Sequence, residues 1–264
     1  MTLERVMLAK RPRSALPTLS AVLSLPLPEL GALDRMLLRG ITAAGLARIK
    51  SVSGVEHICP DCDPFILALN HNSREEALLV PALLFLLRGG RRIHFLADWN
   101  FRLIPGVNLL YERAGVITVS RKPAKPLVLN AMKPFFAVGG PSLEQARQHL
   151  TAGRSIGIFP EGTVNRDRLR LLRGRYGAAR LSLETGVPVT PAGIRSSTTR
   201  KGSAVPGVPI EIAVGPPLPT PSTAEGPVTF AKVRARHAQI MSAISRLSGK
   251  SWAFITQETT DEAL

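Results

Sequence analysis

The sequence predicts an α/β domain: a central, mostly parallel mixed sheet flanked by helices, with an N-terminal helical segment. Three observations carry this expectation. From about residue 51 short apolar runs alternate with helical patterns, as happens when each strand returns to a sheet through a helix. The chain has 264 residues, 45% of them apolar and 20% charged, which are globular values with ample length to bury a core. The longest uncharged run, Ser14 to Pro28, is 15 residues and carries Pro17, Pro26 and Pro28. A membrane-spanning helix needs about 20 apolar residues, so none is expected, and the same prolines argue against a cleaved signal peptide.

Residues 1–28 are Pro-rich, mildly basic and without periodicity. Leu30, Leu33, Leu37, Ile41 and Ala44 share one helical face, with Asp34, Arg35, Arg39, Arg48 and Lys50 mostly elsewhere, so residues 1–50 read as an N-terminal segment ending in an amphipathic helix. That helix fits docking on the core and membrane contact equally. Residues 51–250 form the main domain, with strands expected at 65–69, 92–96, 116–119, 156–159, 187–194 and 210–214. Helices are expected at 75–87, in two patches between 125 and 152, at 176–184 and at 230–247. The stretch from Pro216 to Pro227 is a Pro/Ser/Thr loop, and residues 251–264 form a C-terminal tail whose acidic end, Gln257 to Leu264, is frayed.

The net charge of +15 comes from 34 Lys+Arg against 19 Asp+Glu, with 26 arginines among the bases. Arginine grips phosphate with a planar fork. Nucleic acid, an anionic membrane surface and a soluble phosphate-bearing ligand all fit this charge. Aromatic residues at 5% without basic–aromatic interleaving disfavour stacking on single strands, and no specific nucleic-acid partner is expected. Two cysteines make no disulfide framework, which points to a reducing compartment.

Four segments carry chemical signals. Asn70-His-Asn-Ser-Arg-Glu-Glu76 lies where a buried strand ends and a helix begins, the usual place for ligand chemistry in α/β sheets. A carboxylate in the first helical turns can reach back to one ring nitrogen of His71, leaving the other free to take a proton. Glu76 and Glu75 are both within sequence reach. Phe159-Pro-Glu-Gly-Thr163 also sits at a strand end, with Arg166, Arg168, Arg170, Arg173 and Arg175 following; Pro160 and Gly162 force a tight turn whose N–H groups suit an anion. Gly115 to Arg121 is a strand that delivers an arginine at its end, and Val187-Pro-Val-Thr-Pro191 is an apolar strand with prolines.

Other patterns fail on context. Gly153-Arg-Ser-Ile-Gly157 matches G-x-S-x-G, but Ser155 enters a strand after a helix, the reverse of a nucleophile elbow. Cys59-Pro-Asp-Cys62 has only His57 nearby, too few ligands for zinc, and it precedes a strand where a redox CxxC follows one; it reads as a loop, with a facultative disulfide left open. His57, His94, His149 and His237 lack a matched carboxylate. Neither a P-loop nor G-x-G-x-x-G is present.

Taken together, the four segments resemble the glycerolipid acyltransferase family, whose best-known members acylate lysophosphatidic acid. Asn70/His71/Glu76 is similar to its NHx4D box, with Glu in place of Asp. Gly115 to Arg121 is similar to its G-x-I-x-x-x-R strand, Phe159 to Thr163 to its FPEGT box, and Val187 to Pro191 to its V-P-[IV]-x-P strand. Arg175-Tyr-Gly-Ala-Ala179 resembles a basic-x-Gly-Ala run of the same family. The likeness covers roughly residues 50 to 215, with Val164 standing where an arginine is usual.

The resemblance implies acyl transfer from acyl-CoA or acyl carrier protein to the hydroxyl of a lysophospholipid. His71 would be the general base and Glu76 its orienting acid. Ser73, Arg121, Glu161, Gly162, Thr163 and Arg166 would bind substrate, with N–H groups near Gly162 holding the oxyanion. No metal or bound cofactor is implied. The basic surface then suits an anionic membrane, with the enzyme peripheral on its cytoplasmic, inner face. The competing expectation is a non-catalytic basic membrane- or lipid-binding protein that keeps the fold.

Overall fold

The computed structural model describes residues 16–104, 106–120, 141–196, 208–219 and 226–254. Seven strands form one sheet: β1 (Ile49–Ser53), β2 (Ile66–Leu69), β3 (His94–Asp98), β4 (Ile117–Val119), β5 (Ile156–Ile158), β6 (Val189–Ser196) and β7 (Ile210–Val214). Their order across the sheet is β1-β7-β6-β2-β5-β3-β4. Every neighbouring pair is parallel except β6–β7. The seven helices of the described residues are α1 (Leu19–Ser24), α2 (Ala32–Gly45), α3 (Glu76–Leu87), α4 (Val107–Ala114), α5 (Ser142–Thr151), α6 (Gly177–Thr185) and α7 (Phe230–Ser248).

β2 occupies the middle of the sheet and is buried along its whole length. Its side chains alternate between two cores, as the pleat requires. Leu67 and Leu69 pack with Val80, Leu83 and Leu84 of α3 and with Val22 and Leu38 from α1 and α2. Ile66 and Ala68 face Ala146 and Leu150 of α5, Leu181 of α6 and Ile240, Met241 and Ile244 of α7. With helices on both faces the strand needs no polar side, so the run Phe65 to Leu69 is apolar throughout. Helix α3 is apolar all round for the same reason: nearly all of its residues from Leu79 to Leu86 are buried.

The register places the two strand-end segments together. Ala68 of β2 lies beside Ile158 of β5 in a parallel pair. Continuing two or three residues from each brings Asn70-His71 level with Pro160-Glu161 at the same edge of the sheet. Parallel pairing thus joins segments 90 residues apart in the chain.

Several elements differ from the sequence expectation. β1 straddles residue 50 and pairs in parallel with β7, because Ile49 and Val52 supply a buried face too short to register as a pattern. Helices α1 and α4 had no signal in the sequence; α1 is six residues long, capped by the Thr18 hydroxyl. The loop of Cys59 and Cys62, where the sequence leaves a facultative disulfide open, carries that disulfide across a single 3₁₀ turn, with Cα atoms 5.3 Å apart, within bridging range; it stands against the reducing compartment expected from two cysteines. At the start of the tail Ser251 exchanges backbone hydrogen bonds with Leu169 and Leu171, while the segment expected to fray, 257–264, lies outside the described residues. The first helical patch after Lys125 and the whole of Arg121 lie outside the described residues. Among the described residues no helix is long and apolar enough to cross a membrane.

Helix α7 packs directly on β6 through Gly193. A Cβ there would come within 2.3 Å of the α7 backbone at Leu247 and Ser248. Gly193→Ala is therefore expected to lower unfolding stability by about 1–3 kcal/mol through overpacking, readable as a lower denaturant midpoint.

Candidate active site

The 70–76 segment is built around three buried polar side chains. Asn70 terminates β2 and reaches sideways to β6: its Nδ2 donates to the carbonyl oxygen of Ile194 at 3.0 Å, and its Oδ1 accepts from the Ile194 N–H at 2.7 Å. Asn72 donates to the same carbonyl at 3.1 Å and accepts from Asn70 at 3.0 Å. One carboxylate oxygen of Glu76 accepts the backbone N–H groups of Asn72 at 2.8 Å and Ser73 at 3.1 Å. Glu76 is the first residue of α3, so it also meets the positive end of that helix. The result is a closed loop that holds His71 between two anchored asparagines.

This geometry separates the two acids that the sequence left open. Glu76 is 4% exposed and turned into the loop. Glu75 is exposed and forms an ion pair with Arg48. Burial pushes the Glu76 carboxyl above the ordinary range, opposed by the Asn72 and Ser73 hydrogen bonds and by the charge of Lys250.

The second segment clamps onto the first. Glu161 is 5% exposed, and its Oε1 accepts the backbone N–H of His71 at 3.2 Å. Its Oε2 accepts from the Asn165 side chain at 2.6 Å and from the Leu172 N–H at 2.9 Å. Asn165 completes the clamp by donating its own N–H to the His71 carbonyl at 2.7 Å. The His71 ring stacks on Phe159 with centroids 4.5 Å apart. Both faces of the His71 peptide, and its ring, are thus held by the 159–165 loop.

Gly162 is required by the turn. It has φ +63°, a left-handed value that favours glycine, and a Cβ there would meet Arg175 Nε at 2.6 Å. Its N–H donates to the Phe159 carbonyl at 2.9 Å, so the turn uses that group internally. Thr163 and Val164 follow it into the loop.

A cleft of about 2370 Å³ opens at this edge of the sheet. His71, Ser73, Gly162, Thr163 and Arg166 line it, whereas Glu76 and Glu161 lie behind its wall. Leu37, Leu38 and Ile41 of α2, Leu79 and Ala82 of α3, and Leu110 of α4 form an apolar wall. Arg48, Arg74, Arg166, Arg173, Arg175 and Arg180 surround it with positive charge. Val164 leaves no cation at its own position, but Arg166 lines the cleft; Arg168 instead donates to the Ser196 hydroxyl at 3.4 Å.

Sequence reasoning missed Asn165, which looked like one polar residue among arginines, and Lys250, which is 6% exposed and follows α7. It also missed that the apolar stripe of α2 walls the cleft. Of the other histidines, His94 and His149 stack on each other at 4.1 Å, and the His237 Nε2 contacts the Arg173 carbonyl at 2.9 Å. Among the described residues no group of three or more His, Cys, Asp or Glu is placed to hold a metal ion.

Because the folded chain holds the Glu76 proton more tightly than the unfolded chain, its stabilising contribution is complete below pH 4.5, the ordinary value, and is lost as pH rises through the higher folded value. Glu76→Gln keeps an oxygen acceptor without that loss. It is expected to melt above the wild type at pH 7.5, with the advantage vanishing near pH 4, as followed by scanning fluorimetry. Glu75→Gln, which removes only an exposed pair, should leave the melting temperature nearly unchanged.

The acyltransferase family model matches residues 51–195. A 1-acyl-sn-glycerol-3-phosphate acyltransferase of Borreliella burgdorferi is 31% identical over 148 residues, covering 55% of this chain and 51% of the relative. The chain thus spans about half the length of the curated relative it matches. The crystal structure of the 1-acyl-sn-glycerophosphate acyltransferase PlsC from Thermotoga maritima superposes with a TM-score of 0.53 at 22% identity, covering 83% of each chain, a likeness of fold. With its strand-end histidine box clamped to the Phe-Pro-Glu-Gly-Thr turn and more than half its length matched, the chain belongs to the acyltransferase family.

Proposed function

We propose that this protein transfers a fatty acyl group from a thioester, acyl-CoA or acyl carrier protein, to the free hydroxyl of a lysophospholipid such as 1-acylglycerol-3-phosphate. The observation that carries this reading is the position of His71: fixed by hydrogen bonds on both sides of its peptide and lining an apolar cleft rimmed by arginines. An apolar wall suits an acyl chain, and the arginines suit the phosphate groups of donor and acceptor.

In this mechanism the imidazole of His71 takes the proton of the acceptor hydroxyl as that oxygen attacks the thioester carbonyl. The tetrahedral oxyanion collapses, the C–S bond breaks, and the imidazolium returns its proton to the departing thiolate. No acyl-enzyme is needed, since the substrate supplies the hydroxyl that a serine supplies in a hydrolase triad. Glu76 stabilises the imidazolium electrostatically while bracing the Asn72–Ser73 backbone. The N–H groups of Thr163 and Val164 are assigned to the oxyanion, because these residues line the cleft and the Gly162 N–H is used within its turn. Arg166 is assigned to the acceptor phosphate. Ser73, which lines the cleft, is assigned to substrate contact, and Arg121 keeps the acceptor-positioning role that the family resemblance implies.

The fatty substrates reside in a membrane, and the surface supports a peripheral contact. Leu19, Leu23, Leu33 and Met36 of α1 and α2 are exposed, and α2 also supplies Leu37, Leu38 and Ile41 to the cleft wall. Each basic residue near an anionic leaflet adds about 1 kcal/mol of attraction.

The test is release of free thiol from acyl-CoA or acyl carrier protein in the presence of a mixed lysolipid pool, with products identified by mass spectrometry. His71→Ala is expected to lower kcat by about 10²–10⁴-fold with melting temperature retained, whereas Glu76→Asp retains substantial activity. Arg166→Ala is expected to raise KM for a phosphorylated acceptor more than for the donor. Binding of lysolipid without thiol release across the panel overturns the catalytic reading in favour of a lipid-binding protein.

A further inference from the structure

Lys250 is a buried cation that the mechanism above does not use. It follows Gly249, the left-handed residue that ends α7, and it is 6% exposed. Its Nζ donates to the carbonyl oxygen of Asp167 at 2.6 Å. From there a continuous chain of hydrogen bonds leads to the site. The Asp167 N–H donates to Asn165 Oδ1 at 3.0 Å, Asn165 Nδ2 donates to Glu161 Oε2, and Glu161 Oε1 accepts the His71 N–H. The residue is anchored from its own side as well: Ser245 Oγ donates to the Lys250 carbonyl at 2.5 Å, and the next residue pairs with Leu169 and Leu171.

A buried ammonium is expensive unless it is paired and hydrogen-bonded. The groups that face Lys250 are Glu161 from the turn after β5, Asp167 and Arg168 from the loop that continues that turn, and Glu76 from α3. Three of the four are acidic. Glu76 and Glu161 are themselves buried behind the cleft wall, so two carboxylates otherwise concentrate negative charge under His71. Resting on the functional reading above, we infer that Lys250 is a positioning residue: it tethers the 161–172 loop to the end of α7 and supplies the positive charge that balances Glu76 and Glu161 beneath His71.

Burial holds the Lys250 ammonium below the ordinary lysine range, and the three acids oppose that shift, in keeping with this arrangement. Removing the cation leaves the two carboxylates uncompensated. Their field then favours both protonation of Glu76 and the imidazolium form of His71. The acid limb of the rate profile moves to higher pH as a result.

The experiment compares wild type, Lys250→Met, Lys250→Gln and Lys250→Arg in two readouts: kcat/KM against pH for thiol release, and the titration of His71 followed by NMR of its imidazole carbons. Lys250→Met and Lys250→Gln are expected to move the acid limb and the His71 titration upward together, while Lys250→Arg leaves both near wild type. Lys250→Gln still donates to Asp167 without a charge, so it carries the test if Lys250→Met does not fold. An unchanged His71 titration in Lys250→Gln overturns the inference. A wild type that releases no thiol overturns the functional reading instead, and the NMR titration then still decides the role of Lys250.

Discussion

One buried carboxylate holds the two halves of the site together. Glu161 receives hydrogen bonds from the His71 backbone, the Asn165 amide and the Leu172 backbone, so a loop after β5 is fastened to a loop after β2. Each strand end alone would be free to move; bonded through one anion they become a single rigid edge. Breaking such a bond leaves a buried donor or acceptor unsatisfied, a penalty of about 1–3 kcal/mol each. The stacking of His71 on Phe159 and the return bond from Asn165 follow from that attachment. In the base role proposed for His71, a side chain that must meet a hydroxyl and a carbonyl at once benefits from rigid placement.

The same arrangement changes what the Phe-Pro-Glu-Gly-Thr box is for in physical terms. Within Phe159-Pro-Glu-Gly-Thr163, the glutamate points inward and the glycine closes the turn against Arg175, while Phe159, Pro160, Gly162 and Thr163 line the cleft. The box reads as a brace with one exposed edge. Positive charge at that edge comes from other arginines that line the cleft, such as Arg166 and Arg175, so it survives the absence of an arginine at position 164.

Much of this was legible in the sequence, and the reason is local. The strand Phe65 to Leu69 and the helix after it are uniformly apolar because helices cover both faces of the sheet, and His71 stands at the junction where that pattern breaks. The β5 turn announced itself through Pro160 and Gly162. What escaped was whatever depends on distant pairing. Asn70 and Asn72 both bond to Ile194, over 120 residues away, and no spacing rule connects them. Lys250 lies at the end of a basic helix and looks like one more surface charge until α7 packs on β6 and carries it inward. Sequence distance likewise could not choose between Glu75 and Glu76; the first turn of α3 did, by burying one and exposing the other.

The central claim is that Glu161 acts through the His71 loop and does not touch the acceptor. Steady-state kinetics of Glu161→Gln, with acceptor concentration varied, addresses it most directly. A brace predicts a large fall in kcat with the acceptor KM within about twofold of wild type. A rise in acceptor KM with kcat preserved would mean that the carboxylate grips substrate, and would contradict the account.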